Sequence, residues 1–109
     1  MNDSKLSNKR CLPCEGRVEK LRSEQIKDLL SKISGWDCVD EHHLSKSLFF
    51  DDFAQALEFT NELGAIAETE GHHPEIILNW GRVEIRIWTH AIGGLSENDF
   101  ILAAKFDEL

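Results

Sequence analysis

The sequence predicts an α+β domain: a four-stranded antiparallel sheet with three helices on one face, in the order α-β-β-α-β-β-α. Three observations carry that prediction. Val83, Ile85 and Ile87 alternate with Glu84, Arg86 and Trp88, the period of a half-buried strand. Short turn signals, Glu41-His42 and the Gly81 segment of residues 79–82, separate two pairs of strand-like stretches, as antiparallel hairpins require. Segments with apolar residues three or four apart precede, separate and follow those hairpins.

Taken in order, residues 1–17 are polar, contain Pro13 and Gly16, and read as a flexible or loosely docked arm before a single domain at 18–109. Ser23 is a suitable N-cap for a first helix. Its Ile26, Leu29, Leu30 and Ile33 share a face, and Gly35 sits where a left-handed C-terminal cap belongs. Residues 36–40 read as the first strand. Residues 44–50 read as the second, with Leu44, Lys46 and Leu48 on one face and Ser45, Ser47 and Phe49 on the other. Asp51-Asp52 opens the longest helix at its positive end, and Phe53, Ala56, Leu57, Thr60, Leu63, Gly64 and Ala67 form a stripe expected to pack on the sheet. That helix must stop by Gly71, because Pro74 and the residue before it resist helical geometry. Residues 75–80 make the third strand and the alternating run from Val83 the fourth. Gly93-Gly94 is a loop. Ser96 followed by Asp99 is a capping box in carboxylate form, opening a last helix with Phe100, Ala103 and Ala104 inward. One sheet edge is left free, and self-association through that edge or through helices is a natural outcome.

A chain of 109 residues is one domain with a core large enough to fold unaided. The formal net charge of -8 provides no basic footprint, which disfavours direct nucleic-acid binding and an anionic membrane surface. No apolar run approaches a membrane span, and the polar start holds no signal-peptide core, so the expected location is cytoplasmic. The odd count of cysteines, Cys11, Cys14 and Cys38, argues against a disulfide framework. Cys11-x-x-Cys14 has the spacing of half a zinc site. No second pair follows it, so it reads as a turn around Pro13 with two reduced thiols.

The chemistry-bearing residues are concentrated in the second half. Glu68 is followed after three residues by His72-His73-Pro74, after five by Trp80, after nine by His90 and after eight by Asp99. Imidazole titrates nearest neutrality, so such a group suits acid/base work or metal binding. Two readings compete: surface histidines at a helix end and on a polar strand face, or one convergent site. A hairpin around Gly81 brings residue 90 and residues 72–74 to the same end of the sheet, which favours convergence. Glu68 lies one helical turn before His72 and is placed to fix its tautomer if the helix persists. Asp99 is accounted for by capping Ser96, and a cap can also orient a carboxylate at a pocket rim. Trp36, Trp80 and Trp88 read as packing aromatics. Three convergent histidines could hold zinc, but adjacent histidines diverge and neither His-x-His nor His-x3-His occurs. No phosphate loop and no serine or cysteine nucleophile motif stands out.

The spacing Glu-x3-His-His-Pro-x5-Trp-x9-His-x8-Asp resembles the signature of the pterin-4a-carbinolamine dehydratases, with every position filled. The likeness extends to Gly35-Trp36, to Phe49-Phe50-Asp51-Asp52-Phe53 and to Gly94-Leu95-Ser96. It covers nearly the whole domain and leaves out the Cys11/Cys14 arm. The resemblance implies the same α+β fold, assembled as a homodimer or homotetramer. It implies a hydro-lyase that converts 4a-hydroxytetrahydropterin (4a-hydroxytetrahydrobiopterin) to quinonoid dihydropterin and water, recycling the cofactor of aromatic amino-acid hydroxylases. By the same resemblance His72, His73 and His90 are catalytic, Glu68, Trp36, Thr89 and Asp99 surround the substrate, and neither metal nor organic cofactor takes part. Two alternatives come with it. Animal relatives act as dimerisation cofactors for a homeodomain transcription factor, which suggests a non-catalytic binding module. A further branch is linked to molybdenum-cofactor metabolism.

Overall fold

The computed structural model describes residues 5–12 and 18–109. Three helices and four strands follow in the expected order: α1 (Ser23–Leu30), β1 (Asp37–Val39), β2 (His43–Phe49), α2 (Phe53–Glu70), β3 (Glu75–Asn79), β4 (Arg82–Ile87) and α3 (Glu97–Phe106). The sheet is antiparallel throughout, with strand order β1-β2-β4-β3. Leu44 pairs with Ile87, Leu48 with Val83 and Ile76 with Ile85. Because side chains alternate along a strand, this register puts the aliphatic residues of three strands on one face. There they meet Ala56 and Leu63 of α2 and Phe100 of α3 in one core. The opposite face is polar, with Arg86 bonded to Glu84 and facing Glu75.

The tertiary structure departs from the local reading in three places. The first helix stops at Leu30, short of Ile33 and Gly35. Ser31 bonds through its hydroxyl to the Asp28 carbonyl, and the following N–H groups tighten into three-residue turns, so the helical ladder ends early. Gly35 does adopt a left-handed φ of 80°, but in the loop that admits Trp36 to the core. On α2, Phe53 and Leu57 stay 43% and 40% exposed, so the buried stripe is narrower than its apolar spacing suggests. On α3 the opposite holds: Ile101, Leu102 and Phe106 are buried along with Phe100, Ala103 and Ala104.

The second burial surface on α3 comes from the arm. Residues 5–12 run across the helix, with Leu6 5% exposed in a 3-10 turn, Leu6–Asn8. The Asn98 side chain accepts from the Leu12 N–H and donates to its carbonyl, satisfying the strand-like backbone on both sides. The Cys11 N–H donates to Glu70, whose carboxylate also faces Lys105. Burial disfavours the ionised form of Glu70, but the Cys11 N–H and the charges of Lys105 and Arg10 outweigh it and hold this carboxyl below its ordinary value. Cys14 lies outside the described residues, so the Cys11-x-x-Cys14 pairing does too.

The β3–β4 hairpin closes at Trp80-Gly81. The Gly81 carbonyl accepts from the Phe50 N–H, and a Cβ on Gly81 would lie 2.9 Å from the Phe50 carbonyl oxygen. The oxygen belongs to the backbone and the Cβ is fixed to its own Cα, so neither can rotate away. Gly81→Ala is expected to cost about 1–3 kcal/mol. A lowered urea midpoint with an unchanged slope would register this, and an unchanged midpoint would contradict it.

Candidate active site

The site is built where α2 ends. Gly71 takes a left-handed φ of 67°, and the His72 N–H turns back to the Ala67 carbonyl. That six-to-one bond is the signature of a Schellman cap, which reverses the chain under the helix. His72 is thereby directed inward and is only 6% exposed, while His73 faces outward. Pro74 then starts the extended course into β3.

His72 Nε2 lies 2.6 Å from Asp99 Oδ1. Asp99 is fully buried, at 0% exposure. Its other oxygen, Oδ2, accepts from the Thr89 hydroxyl at 2.9 Å and from the Ser96 N–H at 2.9 Å. A carboxylate only accepts, so the proton in the short contact sits on His72 Nε2, which fixes the ring's tautomer. The Thr89 hydroxyl hydrogen is committed to Asp99, so the Ser96 hydroxyl is the donor in the 2.7 Å contact between those two oxygens. Among the described residues no buried side-chain nitrogen or oxygen lacks a partner. One network thus ties together the end of α2, the end of β4 and the start of α3.

Asp99 was expected to serve as a cap at a pocket rim. It is a cap, but it lies beneath the site and orients His72. Glu68 was expected to face His72. It pairs instead with His73, Oε1 to Nε2 at 2.9 Å, in the open. The Schellman turn explains the exchange: His72 is rotated under the helix, and His73 comes to lie beside the preceding turn.

His90 opens a 3-10 turn, His90–Ile92, after Trp88 and Thr89 at the end of β4. Its ring stacks on Trp88 with centroids 4.5 Å apart and planes 20° from parallel. His72, His73, Trp88 and His90, with Gly71 and Ala91, line a cavity of about 350 Å³. The three expected histidines therefore converge. Thr89 lies behind the cavity wall as the support of Asp99. The structure does not bring Trp36 to this cavity: its indole N–H donates to Asp107 beyond the far end of α3, and Lys46 lies over its ring. Trp80 is exposed at the hairpin tip.

Two histidines escaped the sequence reading. His42 and His43 close on Trp88 with centroids 5.2 Å and 5.9 Å away, and their Nδ1 atoms are 3.1 Å apart. The signal was the hairpin register: Leu44 opposite Ile87 places residue 43 next to residue 88. Burial, then the neighbouring His42 and Arg86, push the His43 imidazole below its ordinary pKa. Among the described residues no three His, Cys, Asp or Glu side chains are grouped to hold a metal ion. The arrangement has three imidazoles lining one cavity, one held by a buried carboxylate and one stacked on an indole. That is equipment for moving protons to and from a bound small molecule.

A model of the family described as pterin 4 alpha carbinolamine dehydratase matches residues 19–109. A Rubrobacter xylanophilus protein provisionally named pterin-4-alpha-carbinolamine dehydratase is 48% identical over 106 residues, covering 97% of this chain and 99% of its own. The mitochondrial pterin-4-alpha-carbinolamine dehydratase 2 of Arabidopsis thaliana is 47% identical, covering 95% of this chain and 58% of its own. Among solved structures, a transcriptional coactivator/pterin dehydratase from Brucella melitensis superimposes with a TM-score of 0.78 at 30% identity, over 83% of this chain and 97% of that one. A pterin dehydratase-like RuBisCO assembly factor of the alpha-carboxysome gives a TM-score of 0.58 at 28% identity, over 68% of this chain and 87% of that one.

Proposed function

Since this chain belongs to the pterin-4-alpha-carbinolamine dehydratase family, we propose that it dehydrates 4a-hydroxytetrahydropterin to quinonoid dihydropterin by histidine acid/base catalysis. The observation that carries this reading is the convergence of His72, His73 and His90 on one cavity, with His72 locked by a buried carboxylate. The substrate carries a hydroxyl on the carbon next to a ring nitrogen. One imidazole protonates that hydroxyl, the carbon–oxygen bond breaks, and water leaves. A second takes the proton from the ring nitrogen, whose electron pair forms the carbon–nitrogen double bond. Neither step needs a nucleophile. Positioned acid or base catalysis contributes about 10²–10⁴-fold per group. His72 and His90 act on the substrate in this scheme, and His73, paired with Glu68 at the rim, assists one of them.

This reading includes recycling of the pterin cofactor of an aromatic amino-acid hydroxylase, in the cytoplasm, by a homodimer or homotetramer. Among the described residues no helix is long and apolar enough to cross a membrane. The exposed Phe53 and Leu57, one turn apart on α2, support self-association through that helix. The same pair, with the names of the two solved relatives, favours a second reading in which the chain binds a protein partner.

The test is an assay on enzymatically generated 4a-hydroxytetrahydropterin, with the spontaneous rate subtracted and with chelator in a parallel sample. Turnover well above background and unaffected by chelator is expected. No turnover would sink the dehydratase reading in favour of the binding module, and loss with chelator would sink the metal-free mechanism.

A further inference from the structure

His72 and His73 each have a carboxylate to hold them, through Asp99 and Glu68. His90 has none. Among the described residues its ring makes no hydrogen bond or ion pair, and it stands on the exposed first residue of a three-residue turn. An imidazole so placed would sample several rotamers, and a group that must meet one atom of a substrate loses rate when it does. What orients it is Trp88, whose indole lies nearly parallel to it at 4.5 Å. We infer that Trp88 is the positioning residue for His90, and that the His42–His43 pair is the brace that keeps Trp88 in place.

The brace has three parts. His42 and His43 approach the indole at 5.2 Å and 5.9 Å with tilted planes of 40° and 58°, so the three rings pack as an aromatic cluster rather than one stack. The two imidazoles are locked to each other edge to face, one Nδ1–H donating to the other Nδ1 across 3.1 Å. The turn that carries them holds Asp40 and Glu41 both at left-handed φ, 54° and 53°, which fixes where the pair points. Glu41 is tied in turn to Ser23 of α1 by a 2.7 Å hydrogen bond. A line of contacts thus runs from α1 through the first hairpin to the ring of His90.

The role rests on the dehydratase reading, and the experiment separates the two. In the full-length protein, imidazole resonances are recorded for wild type and for Trp88→Leu and Trp88→Phe, with His90→Gln used to assign His90. The ring protons of His90 are expected upfield in wild type from the indole ring current, and at their ordinary position in Trp88→Leu. Dehydration is expected to fall about 2- to 10-fold in kcat in Trp88→Leu with a smaller change in KM, and Trp88→Phe, which keeps a flat ring, should recover most of the loss. A wild type without the upfield shift overturns the stack. An active wild type whose kcat survives in Trp88→Leu, after the shift has vanished, overturns the positioning role alone. A shifted but inactive wild type overturns the dehydratase reading, and the positioning role with it.

Discussion

Asp99→Ala is expected to be the most damaging single substitution in the molecule. The side chain is fully buried and takes part in three hydrogen bonds, from His72, Thr89 and Ser96. Alanine leaves all three donors without their acceptor in a site closed to water. Each buried donor left without an acceptor costs about 1–3 kcal/mol, and together they are comparable to much of the stability of a domain this size. Asp99→Asn separates stability from chemistry. It keeps shape and volume but gives the side chain an N–H₂. If that group faces His72, Nε2 must become an acceptor and the imidazole carries its proton on the wrong nitrogen. If it faces Thr89 and Ser96, it meets two donors. Either way the network is frustrated, and dehydration is expected to fall by about 10²-fold with the fold retained. Urea unfolding and steady-state kinetics on the same samples would check both parts. An Asp99→Asn protein of full activity would show that dehydration does not depend on this carboxylate network.

Replacing the histidines should divide along a line that burial draws. His72→Gln and His90→Gln are each expected to lower kcat/KM by about 10²–10⁴-fold. Their effects on stability should differ. His72→Ala leaves the buried Asp99 one hydrogen bond short, at a cost of about 1–3 kcal/mol, whereas His90→Ala removes an exposed ring that no buried group depends on. A thermal melt of the two alanine variants, beside the dehydration assay, would show the difference. Near-normal turnover in either glutamine variant would remove that residue from the mechanism.

Much of this site was legible in the sequence. The alternation from Val83 to Ile87 and the turn at Gly81 gave the hairpin, and the hairpin brought His90 to the end of the sheet where β3 begins. Pro74 and Gly71 gave the end of α2. The Ser96–Asp99 spacing gave the start of α3. What was not legible is which partner each group takes. Spacing along a helix proposed Glu68 for His72, because four residues make one turn. The helix ends in a left-handed cap before that rule can apply, and Asp99, from 27 positions away, takes the ring instead. Likewise, apolar spacing on α2 proposed a stripe that included Phe53 and Leu57, but both lie at its N-terminal end and stay partly exposed, while Ala56, Leu63 and Ala67 are buried.

By itself, then, the sequence determined the order of elements, their class and the end of the sheet at which the histidines gather, because these follow from local periodicity and from residues with restricted backbone geometry. Only the tertiary structure decided the roles within the cluster. Asp99 is a cap from its neighbours' point of view and an anchor for His72 from the core's. Trp88 is an aromatic on a polar strand face until His42, His43 and His90 close around it. Both depend on contacts between segments distant in the chain. Such contacts are settled by which groups must be satisfied once water is excluded, and no local pattern records that.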